Sequence, residues 1–205
     1  MEKFVRLTAT ACPLSLSNLN TDQILPARYL KWPRSKGLGS VLFTDVRLDG
    51  NGRPRDDFAF NREAYRDAKV LLAGRNFGGG SSREAAVYAL YDRGFRCVVA
   101  PSFGDIFAQN AVKNGLLTAG ATEPEIEKLA DLIRAQPTQQ VTVDLERQTV
   151  SCADFSFAFS IDPVSRNQLL NGWDDVDLTD SYREQIAAFK AKDRNIRPWA
   201  NAPAR

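Results

Sequence analysis

The chain has no histidine among its 205 residues. That excludes Ser-His-Asp and Cys-His nucleophile machinery from anything the chain builds alone. It also excludes histidine-ligated zinc and iron sites. Cysteine is nearly as scarce. Cys12, Cys97 and Cys152 lie far apart, fit no C-x-x-C pattern and form no local group of the kind that holds an iron–sulfur cluster. Cys97 falls in an apolar run, where a buried, inert thiol is expected. No metal ligand is assigned to this chain. No apolar run approaches membrane-spanning length. The start, Met1 to Arg6, is charged and strand-like rather than a leader, so the cytoplasm is the default compartment. The net charge is only +2, which gives no bulk electrostatic case for nucleic-acid or membrane partners. Acid or base chemistry must come from Ser, Tyr, Lys, Asp, Glu or Cys, or from another chain.

What is present has the balance of a globular protein, with 43% hydrophobic and 25% charged residues. A strand is expected near Phe4 to Ala9, followed by a polar loop from Ser15 to Asp22. The segment Arg28 to Gly37 is basic, aromatic and glycine-terminated, either a mobile loop over a site or a solvated turn. Leu48 to Pro54 is dense in turn residues. From Lys69 the pattern becomes strand, loop, helix, repeated. A helix is expected from about Ser82 to Asp92 with Gly94 as its stop. A strand follows at Cys97 to Ala100, then a helix with Ser102 and Asp105 at capping spacing, ending near Asn114-Gly115. Such alternation implies βαβ units and parallel strands, hence an α/β fold.

Thr122 to Glu125 opens another helix, with Ile126, Leu129, Ala130 and Ile133 on one face. The period then changes. Val141, Val143 and Leu145 alternate with polar residues, as do Phe155, Phe157 and Phe159, and these read as additional antiparallel strands. Asp162-Pro163 starts a short helix that stops at Gly172. A last amphipathic helix is expected over roughly Ser181 to Lys192. The tail from about residue 194 is polar and reads as extended. The whole chain, 1–205, reads as a single domain.

The most informative stretch runs from Leu71 to Glu84. A buried strand leads into a glycine turn, Asn76-Phe77-Gly78-Gly79-Gly80, and then into Ser81-Ser82-Arg83-Glu84. Consecutive glycines let backbone approach a ligand closely and take positive φ. A helix start adds unpaired N–H groups and partial positive charge. Arg83 adds a planar fork suited to carboxylate or phosphate. The stretch therefore looks like an anion site carrying two hydroxyls. A plain capping box from Ser81 and Glu84 is the simpler alternative. The spacing fits neither the P-loop nor the dinucleotide fingerprint.

Four segments together resemble the small subunits of 3-isopropylmalate dehydratase (isopropylmalate isomerase), the swivelling domain of the aconitase superfamily. Asn20-Thr21-Asp22-Gln23-Ile24-Leu25-Pro26 resembles the family's Asp-Thr-Asp-x-Ile-x-Pro. Asn76 to Glu84 resembles its Asn-Phe-Gly-Cys-Gly-Ser-Ser-Arg-Glu. Ala100 to Phe107 resembles its Ala-Pro-Ser-Phe-Ala-Asp-Ile-Phe, and Asn114-Gly115-Leu116-Leu117 follows at the family's distance. Order and spacing hold from about residue 4 to residue 190.

The resemblance implies a three-layer β/β/α swivelling domain and a hydro-lyase of leucine biosynthesis. It implies that this chain binds no cofactor itself and completes the site of a large subunit carrying a [4Fe–4S] cluster. Ser81 is then the base, Arg83 the carboxylate clamp and Asp22 an orienting group. Asn76, Gly80 and Ser82 are expected to meet substrate. Either Lys31 or Arg34, from the family's substrate-selecting loop, is expected to face a second carboxylate. Self-association of the isolated chain is left open.

Three positions depart from the family pattern. Gly79 stands in place of cysteine, Ala85 in place of histidine and Asn20 in place of aspartate. These changes bear on substrate more than on reaction class. A related dehydratase for another 2-hydroxy di- or tricarboxylate, and a non-catalytic anion-binding paralogue, are the alternatives.

Overall fold

The computed structural model describes residues 1–201. Seven strands form a mixed sheet in the order β4-β3-β2-β1-β5-β6-β7. They are β1 (Arg6–Pro13), β2 (Val70–Leu72), β3 (Cys97–Ala100), β4 (Leu117–Gly120), β5 (Gln140–Asp144), β6 (Thr149–Cys152) and β7 (Phe155–Ala158). Strands β1 to β4 are parallel to one another, and β5 to β7 are antiparallel. β2 and β3 are buried throughout, as a parallel sheet covered on both faces requires. β5 and β6 alternate between buried and partly open positions. The expected βαβ units and antiparallel strands are both present.

β1 joins the two halves. Arg6 to Thr10 pair with β5, and Ala11 to Pro13 pair with β2. This strand sits further along the chain than the expected Phe4 to Ala9. Its polar first half faces the antiparallel side, and the apolar Ala11-Cys12 enters the core. The sheet curls until its two edges meet. Gly120 at the end of β4 donates to Ser160 at 3.0 Å and accepts from Ser160 at 2.8 Å. Glycine is needed there, because a Cβ at 120 would lie 2.7 Å from Ser160 Oγ.

Two single-turn helices, α1 (Thr21–Ile24) and α2 (Thr44–Arg47), follow β1. Then come α3 (Glu84–Arg93), α4 (Asp105–Lys113), α5 (Glu123–Ala135), α6 (Pro163–Asn171), α7 (Asp175–Ser181) and α8 (Arg183–Ile196). α5 packs on β1 and β3, and α4 packs on β4 and α3. Buried apolar side chains from sheet and helices form one continuous cluster.

Several expected boundaries move. α3 begins at Glu84 rather than Ser82, and the Ser81–Glu84 capping box does not form. The Ser81 carbonyl is drawn to the Thr21 hydroxyl, and Glu84 instead accepts from the Asn114 amide at 2.9 Å. Ser102 does not cap α4 either, because its hydroxyl accepts from the Asn76 N–H at 2.9 Å. The helix expected over Ser181 to Lys192 is present as α8, shifted to 183–196, and α7 before it is an additional helix that the sequence reading does not contain. The tail expected from residue 194 is helical to Ile196, with a 3-10 turn at Pro198–Asn201. Its last part, residues 202–205, lies outside the described residues.

Candidate active site

Loops leaving the carboxyl ends of β1, β2 and β3 converge on one edge of the parallel half. Such an edge is where open α/β sheets gather ligands. Short ladders continue beyond the strands and hold these loops together. Asn20 pairs with Gly79, and Phe77 pairs with Phe103. Gly78 donates to Leu19 at 2.7 Å, Thr21 to Gly79 at 3.2 Å, and Phe77 to Ser102 at 3.0 Å. The glycine turn is thus a third strand-like layer between two other loops.

The backbone of the turn explains its composition. Asn76, Gly78 and Gly80 have φ of +55°, +72° and +89°. Gly78 also has no room for a side chain, since a Cβ would lie 2.2 Å from Phe107 Cγ. Asn76 holds its left-handed conformation with two bonds. Its N–H reaches Ser102 Oγ, and its amide donates to Asn18 Oδ1 at 3.1 Å. Gly79 has ordinary φ but touches this amide, because a Cβ there would lie 2.6 Å from Asn76 Oδ1.

Beyond the turn, Ser81 and Ser82 are exposed. Thr21, itself buried, donates its hydroxyl to the Ser81 carbonyl at 2.7 Å. That contact fixes the Ser81 backbone, and Ser81 is exposed together with Gly80. Arg83 is the N-cap residue of α3, and no side chain caps this helix start. Its N–H groups therefore face the same space as the two serines. The Arg83 guanidinium is largely covered and forms an ion pair with Asp22, whose carboxylate is half exposed. Asp22 sits in the first turn of α1, which Asn20 caps by a reciprocal box with Gln23 at 2.9 and 3.0 Å. Asn20 fills this capping role as well as an aspartate would.

The structure therefore brings Asp22, Asn76, Gly80, Ser81, Ser82 and Arg83 onto one surface. It does not bring Arg34 there. Arg34 binds Asp92 at the far end of α3 with 3.0 and 3.1 Å contacts, and stacks on Tyr88 with 4.5 Å to the ring centroid. Arg28 is committed to Asp45. Lys31 is exposed on the same segment. Thr21, Asn18 and Ser102 support the site, and the sequence reading gave none of them that role. Thr21 lies within the Asn20 to Pro26 motif, so a signal for it existed. Ser102 lies within the Ala100 to Phe107 motif, where it reads as a helix cap, and for Asn18 there is no signal beyond loop composition.

A glycine turn at the end of a parallel strand, with an uncapped helix start and a largely covered arginine, defines a class. Residues 1–123 match the aconitase C-terminal domain family, so the chain is of the aconitase C-terminal type. Residues 127–163 match a second family, described as LeuD_N. The chain is 49% identical to the 3-isopropylmalate dehydratase small subunit of Rhodospirillum centenum, over 98% of this chain and 99% of that protein. It is 46% identical to the protein of the same name from Dinoroseobacter shibae, over 97% of this chain and all of that one. The fold matches a crystal structure of 3-isopropylmalate dehydratase (LeuD) from Methanocaldococcus jannaschii with a TM-score of 0.64. That match has 24% identity and covers 90% of this chain and 99% of the other. The chain belongs to the 3-isopropylmalate dehydratase small-subunit family.

Proposed function

We propose that this chain acts as a single swivelling unit and is the small subunit of a hydro-lyase. With a large subunit, it interconverts 2-isopropylmalate and 3-isopropylmalate through dehydration and rehydration. The observation that carries the reading is the pairing of Arg83 with Asp22 beside the exposed Ser81. A base and a carboxylate-binding fork then stand at one helix start.

A free serine hydroxyl is too weak a base for a proton α to a carboxylate. It acts only where its alkoxide is stabilised by fixed donors and nearby positive charge. The N–H groups at the start of α3 and the Arg83 guanidinium supply both. Ser81 takes the proton as the C–H bond breaks, the alkene forms, and the hydroxyl on the neighbouring carbon departs. Returning water to the other carbon gives the isomer. Asp22 holds the Arg83 fork in place until a substrate carboxylate engages it.

This chain's own residues do not fit an iron–sulfur cluster. Its thiols are buried on β1, β3 and β6, and no group of three potential ligands gathers among the described residues. The cluster belongs to the proposed large subunit, where it would supply Lewis-acid assistance to the departing hydroxyl.

The test is turnover after anaerobic mixing with the iron–sulfur large subunit from the same genome. 3-Isopropylmalate, citramalate, homocitrate and citrate would be compared by ultraviolet absorbance of the unsaturated acid. Activity on isopropylmalate, lost by roughly 10²–10⁴-fold in Ser81→Ala with the complex intact, is the expected result. Activity only on another acid would move the assignment to a related dehydratase. No activity in an intact complex would move it to a non-catalytic paralogue.

A further inference from the structure

A cavity of about 510 Å³ opens behind the base of the Arg28–Arg34 segment. Its walls come from the 3-10 turns at 34–41, the end of α2, residues 60–66 and the last turn of α3. Lys36, Arg47, Arg62 and Arg93 all line it, and among the described residues none of them has a carboxylate partner. The two carboxylates on the wall are already engaged. Glu63 binds Arg66 at 3.0 Å, and Asp92 binds Arg34 at 3.0 Å.

Two of these cations are held in fixed positions. Arg47 donates to the Leu42 carbonyl through Nε and to the Ser40 carbonyl through Nη2, each at 2.9 Å. Arg93 donates to the Arg66 carbonyl at 2.7 Å. Both guanidiniums lie against the ring of Phe60, at 6.0 and 5.1 Å from its centroid. Arg47 keeps Nη1, and Arg93 keeps Nε and Nη1, outside these bonds. Burial, and then the like charge of Arg93, hold the Arg47 guanidinium below the usual arginine range. Two like charges fixed near each other carry a repulsion that a bound anion would offset. The open edge of Arg93 and the Nη1 of Arg47 are charged donors of the kind that an oxyanion accepts from.

We propose that this cavity binds a multiply charged oxyanion, either a phosphate group or a dicarboxylate. Arg47 and Arg93 are its fixed donors, and the exposed Lys36 and Arg62 add charge around it. The cavity meets α3 at Arg93, whereas the Ser81 turn meets it at Glu84. Glu84 and Arg93 are the two ends of this ten-residue helix, about 13 to 14 Å apart along the axis. The occupied cavity would lie against Asp92, the residue that anchors Arg34.

Titration calorimetry on the full-length chain tests this. Inorganic phosphate, pyrophosphate and malonate are compared with sodium chloride at matched ionic strength. Saturable one-to-one binding of at least one anion above the chloride baseline is expected. Which arm binds, phosphate or malonate, identifies the ligand class. The double variant K36Q/R62Q changes only exposed side chains, and should weaken binding about tenfold or more with its urea midpoint unchanged. Arg47→Met should abolish binding. Arg83→Gln should leave it in place.

The proposal is overturned if no anion exceeds chloride. It is equally overturned if K36Q/R62Q binds as tightly as the parent, or if Arg83→Gln removes the binding. Loss of the site on adding the large subunit would show that an acidic segment of that partner fills the cavity, and would overturn the small-anion reading.

Discussion

Gly78 is the position where the site tolerates least change. Its φ of +72° already disfavours any side chain, and a methyl placed there would stand 2.2 Å from the Phe107 ring. Phe107 cannot step aside easily, because it packs edge-on against Phe77 with centroids 5.3 Å apart. Left-handed strain and overpacking each cost roughly 1–3 kcal/mol, so Gly78→Ala is expected to destabilise by about 3 kcal/mol. Urea denaturation would measure it. The neighbouring Gly79 is a different case. Its φ is ordinary, and the nearest atoms a Cβ would meet are those of the Asn76 amide. That amide can swing away by giving up its bond to Asn18, a loss of about 1 kcal/mol. Gly79→Cys, which restores the family residue, should therefore fold and lose no more than that. A loss comparable to that of Gly78→Ala would refute this account. At this scale the sequence was informative where it broke a rule, since a run of glycines before Ser-Ser-Arg has no structural economy of its own. The Arg83–Asp22 pair was not readable in the same way. Its partners come from loops some 60 residues apart, as the adjacent Thr21–Ser81 contact shows.

Helix starts show how far local patterns carry. Ser-x-x-Glu at Ser81 and Ser-x-x-Asp at Ser102 both read as capping boxes, and neither forms. In each case a neighbouring loop supplied a competing partner, which no window of four residues contains. At Thr122 and Asp162 no competitor is present, and local chemistry decides. Glu125 accepts from the Thr122 N–H at 2.9 Å, and Asp162 accepts from the Ser165 N–H at 2.8 Å. The latter bond holds the Asp162 carboxyl below the usual carboxylate range. Asp162→Ala should cost about 1 kcal/mol at neutral pH. Because the folded value is depressed, this contribution is fully present above about pH 4, the unfolded aspartate range. It disappears as pH falls through the lower folded value. Urea midpoints of parent and variant should therefore differ at pH 7 and converge near pH 2. A gap that persists in acid would mean the carboxylate is not its source. α7 has no counterpart in the sequence reading, for the opposite reason. It buries no residue, so no core-facing period marks it.

At the scale of the molecule, βαβ alternation and the later two-residue period were enough to foresee a parallel half and an antiparallel half. The closure of the sheet was not foreseeable, because the Gly120–Ser160 contact has no local signature. The same curled sheet decides the state of the cysteines. Cys12, Cys97 and Cys152 are all buried and free. Burial pushes the Cys12 thiol up to about 12 against the opposing charge of Arg93, and raises Cys97 and Cys152 above their ordinary value. The thiolate is the reactive form, so at pH 8 each thiol is both inaccessible and protonated. In the native chain none should react with iodoacetamide faster than the fold opens, while in denaturant all three should react at the rate of a free thiol. Mass spectrometry of the time course separates the two regimes. Each thiol reports a different part of the fold, since Cys12 and Cys97 lie on the parallel strands β1 and β3 and Cys152 on the antiparallel β6. Simultaneous labelling would mean that the closed sheet opens as one unit. Earlier labelling of Cys152 would mean that the antiparallel half opens first, with the Gly120–Ser160 seam as the place where it parts.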